Sequence, residues 1–141
     1  MDKTSVIYKA TINDLGSLNM YGPIYISGPM SSDPDYRKKF DAVEEALIKA
    51  GYAGVINPAR YGDIYEKEHP FPDGTPEVEK KLIRLKRDAA LLSDCRSIIF
   101  LPRSEMATGC IAEYTAACAL NMKIYTLSRN ELNKILRGGK I

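Results

Sequence analysis

Residues 97–101 read Ser-Ile-Ile-Phe-Leu, and Pro102 closes them. A short, nearly unbroken apolar run stopped by a breaker spells a strand covered on both faces. A strand with one wet face would alternate instead. Working backwards, residues 24–27 (Ile-Tyr-Ile-Ser) are equally β-rich and end at Gly28-Pro29. Residues 54–57 (Gly-Val-Ile-Asn) form another short strand before Pro58. Working forwards, residues 123–127 (Lys-Ile-Tyr-Thr-Leu) form a fourth. The strands 24–27 and 97–101 should lie at the centre, with 54–57 beside the first and 123–127 beside the second.

Helical patterns separate these strands. Phe40, Val43, Leu47 and Ala50 share one helical face, with Asp33 as the cap, Pro34 in the first turn and Gly51 as the stop. Thr75-Pro76-Glu77 starts a second helix, whose apolar stripe is Val78, Leu82, Leu85, Ala89 and Leu92. A third helix runs from about Gly109 to Leu120. Ser128-Arg129-Asn130-Glu131 is a capping box that opens the last, through about Leu136. Residues 59–74 carry Tyr, Gly, His, two Pro and an Asp-Gly, and read as a long loop of the kind that covers sites. The alternation βαβαβαβα defines an α/β fold. The expectation is a Rossmann-like (flavodoxin-like) three-layer sandwich with a mainly parallel sheet of four to five strands. Val6-Ile7-Tyr8 reads as an added edge strand.

At 141 residues the chain suits a single domain, 1–141, with residues 1–23 as an N-terminal extension. Hydrophobic residues at 45% and charged residues at 27% exclude a disordered or collagenous chain. A net charge of +2 gives no reason to expect nucleic acid as a partner. No apolar run reaches the ~18–20 residues of a membrane span, and the N-terminus has no signal-peptide pattern, so a cytoplasmic location is the expectation. Cys95, Cys110 and Cys118 lack C-x-x-C spacing, and His69 is the single histidine, so no metal site is expected. Cys110 leaves two readings: a small buried residue, or a reactive thiol near a helix N-terminus.

In such a sheet a small-molecule site lies beyond the carboxyl ends of the strands. Tyr25 and Ser27 lie on the first strand or at its end. Glu113 falls near the start of the helix after the third strand, where the helix dipole should keep it ionised. Its alternative is a solvent-facing acid. Asp88 lies beside the apolar stripe of its helix. It is either an i,i+4 surface partner of Arg84 or an inward carboxylate that needs partners. Tyr61 and Tyr65 are placed to stack on a base or to pack their own loop. His69 reads as a surface residue, the basic run Lys80 to Arg87 as a solvated face, and Arg137-Gly138-Gly139-Lys140 as a frayed tail.

The run Tyr25-Ile26-Ser27-Gly28-Pro29-Met30 resembles the opening motif of the nucleoside 2-deoxyribosyltransferase-like superfamily. So does Arg87-Asp88…Leu92…Asp94-Cys95…Ile98-Ile99-Phe100-Leu101-Pro102, followed by Gly109 and Glu113. The nearest branch is one of small, often phage-encoded proteins of unassigned function, whose middle piece Asn57-Pro58-Ala59 matches. The resemblance spans about residues 22–127. It implies cleavage of an N-glycosidic bond in a nucleoside or nucleoside 5′-monophosphate, by hydrolysis or base exchange, without a cofactor. Glu113 would attack C1′, Tyr25 would hold its carboxylate, and Asp88 would contact the base or assist its departure. Ser27, Gly28, Pro29, Asn57, Ser104, Thr108 and Gly109 would bind substrate. A homo-oligomer is also implied. Ala107 stands where relatives place a serine or aspartate, and Arg96 where they place an aspartate. Two other readings stay open: a non-catalytic nucleotide-binding or sensor protein on the same fold, and a phosphoribohydrolase of the G-G-x-G-T-x-x-E type.

Overall fold

A computed structural model describes residues 23–52 and 54–138 of the chain, and the backbone of residues 7–10. Val6 and the tail from Gly139 onward lie outside the described residues. The strands are β1 (Ile7–Ala10), β2 (Ile24–Ser27), β3 (Val55–Ile56), β4 (Ser97–Phe100) and β5 (Lys123–Leu127). The helices are α1 (Tyr36–Lys49), α2 (Pro58–Glu68), α3 (Glu77–Ser93), α4 (Thr108–Ala119) and α5 (Arg129–Leu136), with a 3-10 turn at Ser104–Met106.

The sheet has five strands in the order β1-β5-β4-β2-β3, and every neighbouring pair is parallel. The expected centre is correct: Ile24 to Ser27 pair in register with Ser97 to Phe100. Ile7 and Tyr8 do belong to an edge strand, β1, which pairs with β5. All residues of β2 and β4 are buried, which explains why neither run alternates in polarity. The pleat sends Ile24 and Ile26 into one core with Phe40, Val43, Leu47, Leu132 and Ile135 of α1 and α5. Tyr25 points to the other face, where Ile98, Phe100 and Ile124 meet Leu92 of α3 and Cys110 and Ala117 of α4. The layers are thus α1 and α5, the sheet, then α3 and α4.

Several local expectations are corrected. The stretch 59–74 is not all loop, because Pro58–Glu68 is helical. Pro58 both ends β3 and fills the first helical turn, where its missing N–H matters little. The Asn57 side chain accepts from the Arg60 N–H at 3.1 Å and caps the helix. Asp33 does not cap α1; it accepts from the Asp35 N–H, and the helix begins at Tyr36. The Thr75 hydroxyl donates to the Pro72 carbonyl instead of capping α3. Ser128 does cap α5, accepting from the Glu131 N–H. Gly51 closes α1 with φ 102, a backbone conformation that glycine adopts freely. The largest departure concerns α3: of its apolar stripe only Leu92 is buried, while Val78, Leu82 and Leu85 are exposed.

Asn57 is buried, and its amide also donates to Asp41 and Glu44 on α1. Its polar atoms are therefore spent on holding α2 against α1. Asn57→Ala is expected to lower stability by roughly 1–2 kcal/mol, the range for a lost cap, as read by urea unfolding. A loss confined to substrate affinity, with an unchanged unfolding midpoint, would return Asn57 to the binding residues.

Candidate active site

The pleat that buries Tyr25 also sets the direction of Ser27, two residues along the same strand. Both face α3 and α4. The Ser27 hydroxyl is buried at the carboxyl end of β2 and donates to Glu113 Oε1 at 2.8 Å. Glu113 lies in the second turn of α4, not the first, and is turned inward. The chain reaches this arrangement through a tight approach: a Cβ on Gly28 would sit 3.0 Å from the Leu101 side chain. Any larger residue would push the loop after β2 away from the end of β4.

Burial pushes the Glu113 carboxyl up to about 7; its interactions with Tyr25 and Ser27 pull it down, and the charge of Asp88 pushes it further up. The helix dipole does not keep it low, contrary to the expectation from position. Burial likewise raises Asp88 to about 6, opposed by Arg87 and Arg84 and supported by Glu66. Burial, then the charges of Glu113 and Asp88, raise the Tyr25 phenol far above its ordinary value. Tyr25 therefore lies against both carboxylates. Its hydroxyl is close enough to Glu113 to bear on that carboxyl, as expected, but its geometry falls short of a regular hydrogen bond, and the regular one comes from Ser27. Asp88 Oδ1 is also buried without a hydrogen-bond partner.

Asp88 has no ion pair among the described residues, and the reason lies in α2. Arg84 does not pair with Asp88. It forks onto Glu66 with its Nε and Nη2, the shorter bond being 2.6 Å. Arg87 Nη2 reaches the same Glu66 carboxylate at 2.9 Å, and its guanidinium lies 5.6 Å from the Tyr65 ring centre. The hydrogen bonds from Arg84, followed by those from Arg87, hold the Glu66 carboxyl below its ordinary range. Glu66 thus draws two arginines away from Asp88. Sequence reasoning missed Glu66 because it placed that residue in a loop. The signal was present: Tyr61, Tyr65 and His69 recur every four residues and stack along α2. His69 is exposed at the end of that stack.

The remaining predicted binding residues divide. Gly28 is buried and Pro29 half-buried in the loop beside Ser27. Thr108 opens α4 and is exposed, and Gly109 passes close to Leu85. No side chain caps α4, since Ala107 holds the capping position. Ser104 donates to the Leu101 carbonyl within its own turn. It lines a groove of about 120 Å³ with Phe100, Cys110, Tyr114 and Thr126, whose lining includes neither Glu113 nor Asp88. Arg103 takes a left-handed conformation, φ 69, at the end of β4, and its charge reaches Asp33 in the loop after β2. Burial pushes the Cys110 thiol up, only partly offset by its interactions with Ser27 and Ser104, which suits an inert residue. Among the described residues, no group of three or more His, Cys, Asp or Glu side chains is arranged to hold a metal ion. No helix among them is long and apolar enough to cross a membrane.

The site is therefore a hydroxyl-bound carboxylate and a second carboxyl on facing helices, both protonating near neutrality. Such a pair can share nucleophile and acid roles. It also weakens the fold as pH rises. Both groups bind protons more tightly folded than unfolded, so their stabilising effect is complete below their unfolded values of 4.5 and 3.8. It is lost as pH climbs through the folded values of about 6 and about 7. Urea midpoints should fall between about pH 4 and about pH 7, and Glu113→Gln should reduce that fall. An equal fall in both proteins would place the titrating group elsewhere.

A family model described as Domain of unknown function (DUF4406) matches residues 23–126. No curated protein and no solved structure matches the chain.

Proposed function

From the premise that this chain belongs to the DUF4406 family, whose model spans residues 23–126, we propose that it cleaves the N-glycosidic bond of a nucleoside or nucleoside 5′-monophosphate. One observation carries the reading: Glu113 is held by Ser27 at 2.8 Å, while Asp88 on the facing helix has a buried Oδ1 without a hydrogen-bond partner and no ion pair among the described residues. The resemblance of the Tyr25-to-Met30 and Arg87-to-Glu113 segments to nucleoside 2-deoxyribosyltransferases supports the same chemistry.

A glycosidic bond breaks through an oxocarbenium-like transition state. A fixed carboxylate under C1′ stabilises that positive charge. A Glu113 oxygen bonds to C1′ as the C1′–N bond breaks, and the bonding pair leaves with the base. Asp88, protonated, delivers its proton to the departing base. The ionised Asp88 then takes a proton from water as the water oxygen attacks C1′ and frees Glu113; an acceptor base in place of water gives exchange. Ser27 orients the attacking carboxylate, and Tyr25 walls it from solvent. Arg103 and the uncapped start of α4 stand at the strand ends, where backbone N–H groups suit a 5′-phosphate.

The test is a panel of nucleosides and nucleoside monophosphates, assayed for released base with and without an acceptor base. Turnover of at least one member is expected. Binding without turnover across the panel would favour the sensor reading, for which Ser104, already bonded to the Leu101 carbonyl, is the structural argument.

The rate should follow a bell in pH, because it needs Glu113 ionised and Asp88 protonated. The nucleophile's value, about 7, lies above the acid's, about 6, so only a minor fraction is correctly protonated at any pH. The two flanks belong to the pair and not to either residue. The optimum should lie between the two values. A rate still rising at about pH 9 would exclude Asp88 as the acid.

A further inference from the structure

Gly62 stands in the interior of α2 and is buried. Glycine is a poor residue for that place, since it weakens a helix relative to alanine. Its φ is not positive, so the backbone itself does not call for glycine. The reason lies on α3. A Cβ on Gly62 would sit 2.7 Å from Arg87 Nη2, 3.5 Å from its Cζ and 3.9 Å from its Nε. The guanidinium therefore rests in a notch that only a bare backbone leaves. Tyr65 stands beside it, and Glu66 takes Nη2 at 2.9 Å. Residues 62, 65 and 66 share one face of α2, so a single turn of that helix holds the arginine.

The berth leaves Arg87 incompletely satisfied. Its Nε and Nη1 are buried without hydrogen-bond partners, and so is Oδ1 of Asp88, the next residue of α3. Unpaired buried donors next to an unpaired buried acceptor are costly, and a bond between them would relieve both. The fold keeps them apart instead.

We propose that Gly62 is a positioning residue of the candidate site: the notch it leaves holds the Arg87 cation on α2 and so keeps it from closing onto Asp88. This role rests on the reading of Asp88 as the proton donor. An acid that must deliver a proton is disabled when a guanidinium holds it as a carboxylate. The groups that bear on Asp88 by charge are Arg87 and Arg84 of its own helix, Glu66 of α2, Glu113 of α4 and Tyr25 of β2. Only the two arginines are cations, and Arg84 is engaged by its fork onto Glu66. Arg87, with two donors unspent, is the one whose place decides the state of Asp88. Glu66 attracts both arginines by charge; Gly62 acts on Arg87 alone, and by space.

Gly62→Ala tests this. Alanine favours a helix, and the atoms in its way are the far end of a flexible side chain, so the fold should survive, as circular dichroism would confirm. Carbon-13 NMR titration of the Asp88 carboxyl reads the effect without any substrate. Wild type should titrate at about 6. In Gly62→Ala, Arg87 is driven off α2 and onto Asp88, and the carboxyl should titrate ~1–3 pH units lower. Base release at neutral pH should fall ~10-fold or more, with the acid flank of the profile displaced downward and KM little changed. Arg87→Met keeps an apolar stem and removes the cation. In that background Gly62→Ala should leave the Asp88 titration where it was. An Asp88 titration unmoved or raised by Gly62→Ala would overturn the proposal. So would the same downward shift in the Arg87→Met background, because the alanine would then act through the helix and not through the arginine. The glycosidase reading fails separately: a wild type that releases no base, while the titrations respond as expected, would leave Gly62 governing Asp88 and remove the reaction.

Discussion

Glu113→Gln is expected to cut base release by at least ~10²–10³-fold while substrate binding changes little. The substitution changes charge and not shape. Glutamine keeps the volume and can still accept from the Ser27 hydroxyl, which now lies 2.8 Å from Oε1. What disappears is the negative charge that would face C1′. Loss of one preorganised electrostatic partner costs ~2.7–4 kcal/mol in the transition state. Loss of the covalent route adds to that. Binding is spared because the sugar becomes cationic only as the bond breaks. Ser27→Ala should have a milder effect, since it removes the orienting donor and leaves the charge. Base release by wild type and Glu113→Gln, with affinity followed separately, checks this. Equal rates would remove the nucleophile.

Asp88→Asn should slow base release by ~10²–10⁴-fold, the range for a general acid. The loss should depend on the leaving base. A base that departs readily as an anion needs little proton donation and should be nearly indifferent; a poor leaving group should suffer the full effect. The alkaline flank of the pH profile should disappear with the acid. A further contrast comes from Glu66→Gln. It releases Arg84 and Arg87, which now bond the Glu66 carboxylate. Either arginine is then free to pair with Asp88 and lower its pKa, which moves the acid flank downward and lowers the rate at the optimum while the Asp88 side chain stays intact. A uniform loss across leaving groups in Asp88→Asn would make Asp88 a positioning residue and not a proton donor.

The sheet was legible because β2 and β4 are buried on both faces, so their apolar runs had a single reading. The site was legible for a related reason: strand ends fix where Ser27 and Gly28 go, and helix periodicity brings Asp88 and Glu113 towards them. Three things were not legible. Helix α2 hid behind Pro58 and Gly62, residues that usually signal loops, although Asn57 caps it and Pro58 favours its first turn. Tyr25 and Ser27 share a face, so alternation alone does not say which hydroxyl reaches Glu113. The ionisation of Glu113 depends on magnitude. A helix terminus contributes ~0.3–1 kcal/mol at an exposed first turn. Removing a carboxylate from water shifts its pKa by up to ~3–5 units, and Glu113 sits deeper than that first turn. The stripe on α3 is a fourth lesson. Periodicity says which side of a helix is apolar; it does not say whether the same chain covers it.

Strand β1 has a consequence for how the protein stays dispersed. It lies outside the family-matched segment, yet it occupies the full outer edge of β5, from Ile124 to Leu127. Without it, β5 would present a row of open backbone donors and acceptors, with Ile124, Tyr125 and Leu127 buried behind them. Such an edge is a template for uncontrolled strand addition between molecules. The opposite border needs no such guard, since β3 is two residues long and offers little to copy. The N-terminal strand thus moves the open border of the sheet off β5, and a chain starting at residue 23 would keep both carboxylates of the candidate site while exposing β5 as an edge.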